Sequence, residues 1–165
     1  MKAFDPLGAL EALLAGGVDF VLVGGLAARL HGSPTVTDDL DISHSKGRAN
    51  LERLSGCLKK MNARLRLQDP EERVEVDIDW RFLHAANNFT FVTDFGALDC
   101  LAFPPGMESY EGLAAHAVTM DLESVSIRVA SLDDLMSMKK AAGRRKDLIE
   151  LEILAALRDE LDDKR

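Results

Sequence analysis

The stretch DFVLVGGLAARLHGSPTVTDDLDIS, residues 19 to 43, limits the fold more than any other part of the chain. It predicts a short, fully apolar strand over 19–25 that ends in a glycine turn at Gly24-Gly25. A short helix over 26–31 and a loop over 32–36 follow, and then a second strand over 37–43 in which apolar and acidic positions alternate. Upstream, Asp5-Pro6 reads as a helix N-cap followed by proline at the first helical position, and Gly16-Gly17 reads as the stop. The order helix–strand–glycine turn–helix–strand sets up a layered domain whose helices and strands mix without strict alternation, of α/β or α+β class.

The remainder extends that pattern. A helix is expected from about Arg48 to Met61, then a strand at 63–68. RVEVDIDW, 73–80, alternates strictly, so Glu75, Asp77 and Asp79 would share one strand face; 81–88 is a short helix or a loop. FTFVTD (89–94) and ALDCLAF (97–103) form a hairpin turning at Phe95-Gly96, and VTMDL with SIRVA forms a second through Glu123-Ser124. Between the hairpins lies a weak helix at 109–117. From Ser131 the chain is helical, with Ser131 and Asp134 resembling a capping box and Gly143 marking a break between two helices. No repeat, linker or low-complexity segment divides the chain. One domain over 1–165 is expected, with a core of about 17–130 and C-terminal helices over about 131–162.

Charge and cysteine usage narrow the function classes. A formal charge of −8 argues against a protein that coats nucleic acid through phosphate neutralisation alone. Trp80 and Tyr110, the single tryptophan and tyrosine, give no base-stacking platform. Cys57 and Cys100 stand far apart, which indicates neither a zinc knuckle nor a disulfide framework and fits a reducing cytoplasm. The apolar stretch from Leu7 is interrupted by Glu11 and Asp19, so it reads as neither a signal peptide nor a membrane span.

On a strand, Asp39 and Asp41 point to the same face, with Leu40 and Ile42 behind them. Carboxylates held that close repel unless water or a cation intervenes. A hard cation such as Mg²⁺ takes carboxylate and phosphate oxygens. Alone, the pair also fits a solvated strand edge, since 28 acidic residues make such a spacing common by chance. Gly24-Gly25 alone fits a plain tight turn; at a helix start it also admits phosphate to free N–H groups. Together, a phosphate cradle and a metal-type acid pair are what nucleoside triphosphate chemistry requires. The cluster Lys139, Lys140, Arg144, Arg145 and Lys146 is the one concentrated basic patch. It either pairs with acids such as Asp147 and Glu150, or sends Lys139 and Arg144 to a triphosphate or an acidic substrate.

Val23-Gly24-Gly25 followed by Asp39-Leu40-Asp41-Ile42 resembles the signature of the polymerase β-type nucleotidyltransferase superfamily. More narrowly, GGLAARLHGSPTVTDDLDI, NNFTFVTDFGALDCL and SLDDLMSMKKAAGRRKDL are similar to blocks of the small prokaryotic branch that holds minimal and toxin–antitoxin-associated nucleotidyltransferases. The three blocks stand in the same order and span nearly the whole chain. The resemblance implies a nucleotidyltransferase fold, a mixed sheet with helices packed on it and a helical C-terminus. It implies transfer of a nucleoside monophosphate from an NTP such as ATP to a hydroxyl, with release of pyrophosphate. Asp39, Asp41 and Asp99 would be the catalytic, Mg²⁺- or Mn²⁺-binding acids, because Leu98-Asp99-Cys100 matches the superfamily's apolar–acid–apolar third element. Asp77 and Asp79 are the rival third carboxylates, with a solvated face as their alternative. Gly24, Gly25, Lys139 and Arg144 would bind the nucleotide. The implied acceptor is a tRNA, a protein or a small molecule. The alternative is a non-catalytic nucleotidyltransferase-like subunit of a toxin–antitoxin or other two-component complex, bound to a small partner protein.

Overall fold

A computed structural model describes residues 3–165. The first helix, α1 (Pro6–Ala15), starts where the sequence places it, with the Asp5 carboxylate accepting from Gly8 N at 2.9 Å. After it come β1 (Phe20–Val23), α2 (Gly24–Leu30), β2 (Asp39–His44), α3 (Arg48–Lys60) and a two-residue β3 (Arg64–Leu65). Next are α4 (Trp80–Ala85), β4 (Asn88–Thr93), β5 (Gly96–Leu101) and α5 (Tyr110–His116). The chain continues through β6 (Val118–Leu122), β7 (Val125–Val129), α6 (Leu132–Ala142) and α7 (Arg145–Asp163). Short side-chain caps set several helix starts: Ser109 accepts from Gly112 N at 3.0 Å, and Ser131 from Asp134 N at 3.1 Å. Each such cap stabilises its helix by about 1 kcal/mol.

The strands form one mixed sheet in the order β3-β4-β5-β2-β1-β7-β6. Both expected hairpins are present, β4 with β5 and β6 with β7. Two pairings are parallel, β2 with β5 and β1 with β7, and they place β2 at the centre of the sheet. All four residues of β1 are buried, as a fully apolar strand requires. On β5 the burial alternates: Leu98 and Cys100 are buried, while Ala97, Asp99 and Leu101 are partly open. On β2, Leu40 and Ile42 share the closed face with them, and Asp39 and Asp41 stand on the open one. Leu10 and Leu13 of α1 and Leu51, Leu54 and Leu58 of α3 belong to the same buried cluster as Leu40, Ile42, Phe91 and Leu98. Cys100 lies in that core, and its thiol is no part of the open face.

Two sequence expectations change. Residues 73–79 alternate but pair with no strand; the segment runs extended over α3, with Ile78 buried and its carbonyl accepting from Ser55 Oγ at 2.6 Å. The strand expected over 63–68 is shortened to Arg64–Leu65, although Arg66 N still donates to Thr90 O at 2.9 Å. Val74 and Val76 are exposed like the acids between them, so the alternation supplies neither a pairing partner nor a buried face.

Candidate active site

The parallel register of β2 and β5 sets Asp41 opposite Asp99 and Asp39 opposite Ala97. Since i and i+2 share a face, all three carboxylates emerge on the open side of the sheet centre. One oxygen from each lies within 4.8 Å of the others. Thr37 Oγ1 donates to Asp39 Oδ1 at 3.0 Å, and Arg66 Nη2 donates to Asp99 Oδ1 at 3.4 Å. Asp41 is the most constrained of the three. Burial first, then the charges of Asp39 and Asp99, push its carboxyl up to about 8. Burial also raises Asp99, with Arg66 opposing. Without a cation, burial and the neighbouring acids favour a proton on Asp41.

Gly24 closes the site from the β1 side. Its φ is +72°, and a Cβ there would stand 2.1 Å from Asp41 Oδ2. The helix α2 begins at Gly24 itself, so the glycines are its first residues and not a turn ahead of it. Gly25 packs on Thr37, the residue that holds Asp39.

The basic residues pair with acids and also border the site. Lys139 and Arg144 line a cavity of about 150 Å³ that also touches Gly24, Asp41 and Leu101. Both are also paired with acids. Asp147, wholly buried, accepts from Arg144 Nε at 2.6 Å and Arg144 N at 3.2 Å, while Lys139 lies 3.4 Å from it and also bonds Glu150. The Arg144 bonds, foremost, hold the Asp147 carboxyl below its ordinary value. Asp147→Ala should leave Lys139 without its buried partner and cost about 2–3 kcal/mol. Thermal unfolding should show that as a fall of roughly 5–10 °C.

Asp77 and Asp79 lie elsewhere. Asp77 is exposed and pairs with Lys59 at 2.9 Å. Asp79 caps α4, accepting from Phe82 N at 2.8 Å. Asp79→Ala should therefore lower the melting temperature through the lost cap, whereas Asp79→Asn, which keeps a capping oxygen, should not. Sequence reasoning missed Arg66, Thr37 and the burial of Asp147. The one available signal for Arg66 was its place, two residues past Arg64, on a strand with an exposed face.

No protein-family model matches the sequence, and no curated protein matches it. Solved structures do resemble it. The lincosamide antibiotic adenylyltransferase LnuA, in its lincomycin-bound form, superposes with a TM-score of 0.60 at 11% identity, over 93% of this chain and 99% of that one. A Thermotoga maritima protein provisionally assigned as a nucleotidyltransferase gives 0.54 at 15% identity, over 98% and 97%. The antibiotic-resistance factor ANT(2'')-Ia gives 0.51 at 15% identity, over 95% and 91%. Likeness of that extent at such low identity is a likeness of backbone, and it agrees with the fold that the sequence resemblance implies. The chain has the nucleotidyltransferase fold.

Proposed function

We propose that the protein transfers a nucleoside monophosphate from an NTP to a hydroxyl-bearing acceptor, as a member of the polymerase β-type superfamily. The observation that supports this reading best is the meeting of Asp39, Asp41 and Asp99 within 4.8 Å beside Gly24. The acid set fits a hard divalent ion, Mg²⁺ or Mn²⁺, because three carboxyl groups share one small space and burial with like charge drives Asp41 to hold a proton that a cation would replace. Bound there, such an ion supplies positive charge to the phosphate oxygens.

The chain's own residues supply the rest. Asp99, raised above an ordinary carboxyl, is the base: it takes the acceptor hydroxyl's proton as that oxygen bonds the α-phosphorus. The bond from the α-phosphorus to pyrophosphate breaks in the same displacement, and pyrophosphate leaves. Arg66, the cation beside Asp99, orients it. Gly24 and Gly25 leave room for phosphate at the start of α2, and Lys139 and Arg144 meet the triphosphate from the α6–α7 side, exchanging part of their contact with Asp147 and Glu150 for it. The alternative of a non-catalytic partner subunit has no observation of its own in its favour. Among the described residues no helix is long and apolar enough to cross a membrane, and both cysteines are free and buried, which suits a reducing cytoplasm.

Incubation with each labelled NTP, Mg²⁺ and cell lysate tests the activity by asking which molecule becomes labelled. Separately, Mg²⁺ or Mn²⁺ with an NTP at 100 times its Kd should stabilise the fold by about 2.7 kcal/mol. That corresponds to roughly 5–10 °C in Tm. No shift with any metal–NTP pair at millimolar levels would count against the reading.

A further inference from the structure

The open face of the sheet has a second concavity that the nucleotide reading leaves unused. Along β5, Leu101 lines the cavity that holds Lys139 and Arg144, whereas Ala97 lines a groove of about 550 Å³ on the other side. Asp99 stands between them on the same strand face. An in-line displacement brings nucleophile and leaving group to the phosphorus from opposite sides, so a nucleotide in the first cavity leaves the second for the acceptor.

The groove's chemistry is specific. Arg64 and Arg66 lie on the sheet edge, opposite Val92 and Thr90, and therefore on the face that carries Asp99. Arg66 reaches Asp99; among the described residues Arg64 has no ion pair. Arg73, also lining the groove, is tied by its donation to the carbonyls of Pro70 and Glu72, at 2.6 and 3.0 Å. Asp38, Asp69 and Glu72 also line the groove, and their carboxylates accept hydrogen bonds from hydroxyls. We infer that this groove is the acceptor site and that it takes a small polyhydroxylated molecule with one anionic group, a phosphate or a carboxylate, held by Arg64 and Arg66 while a hydroxyl faces Asp99. The inference rests on the nucleotidyl-transfer reading for the acceptor role, while the anion site stands or falls by itself.

Titration of the ¹⁵N-labelled protein with ribose 5-phosphate, D-gluconate and spermidine, each without nucleotide, decides it. Saturable shifts at Leu65, Ala97 and the Arg64 and Arg66 side chains are expected with one or both anions; which anion binds tells phosphate from carboxylate. Arg64→Ala should weaken that binding about tenfold. Shifts there with spermidine alone, shifts confined to Gly24 and Lys139, or no shift up to high millimolar anion would each overturn the inference. So would shifts there with unfractionated tRNA but with neither small anion. Mg²⁺–ATP titrated into the same sample reports separately on Gly24 and Lys139. If ATP fails there while the anions bind, the nucleotidyl-transfer reading falls and the anion site remains.

Discussion

Asp41→Asn should lower nucleotidyl transfer by about 10²–10³-fold, as loss of a group that stabilises transition-state charge does. The metal-free protein should at the same time become more stable. Asp41 is raised from its ordinary 3.8 to about 8, chiefly by burial and then by Asp39 and Asp99. Across that window the unfolded chain has released the proton and the folded chain keeps it. Wild-type stability therefore declines as pH rises from about 4 to 8 and levels off above. The replacement amide has no charge to bury, so the variant lacks that decline. The melting temperatures of the two should converge near pH 4 and separate by on the order of 10 °C near pH 8. Calorimetry across pH, with and without Mn²⁺, checks both halves. If the variant unfolds more easily at pH 8 while still binding the ion, the acid pair is structural.

Gly24→Ala should abolish activity as fully as loss of Asp41 itself, with every carboxylate residue still present. A methyl at residue 24 meets Asp41 Oδ2 at 2.1 Å and Asp41 Cβ at 2.8 Å, so Asp41 must leave its place. The backbone at φ +72° adds about 1–2 kcal/mol of strain. Gly17 provides the control. Its φ is +71°, yet the nearest atom to an added Cβ is Arg53 Cδ at 3.4 Å, the flexible arm of a surface side chain. Gly17→Ala should carry a similar backbone cost and leave the specific activity of the folded enzyme intact. Equal activity loss in both variants would mean that Gly24 serves the fold alone.

Much of this site can be read in the sequence because its parts are local. Asp39 and Asp41 share a strand, and Leu98-Asp99-Cys100 declares by its own alternation which residue faces out. Gly24 is needed where one strand gives way directly to a helix. What sequence reasoning could not reach depends on pairing between distant segments. Arg66 matters only because β3 joins β4, and β4 joins β5, which brings it to Asp99. Asp147 looked like one more acid in a charged helix, and its burial comes from the turn between α6 and α7, which folds Arg144 and Lys139 around it. Residues 73–79 misled for the opposite reason: a local pattern was present, yet the segment joins neither edge of the sheet.

The parallel joining of Leu22 on β1 to Val129 on β7 has a consequence for how the protein is made. The segment that carries Gly24, Asp39 and Asp41 is made well before β7, its neighbour on one side, and the helices that bear Lys139 and Arg144 come later still. A nascent chain can thus hold all three acids and yet have no enclosed nucleotide cavity. A fragment that ends before residue 125 carries all three acids but lacks β7, α6 and α7, so on the nucleotidyl-transfer reading it should be inert.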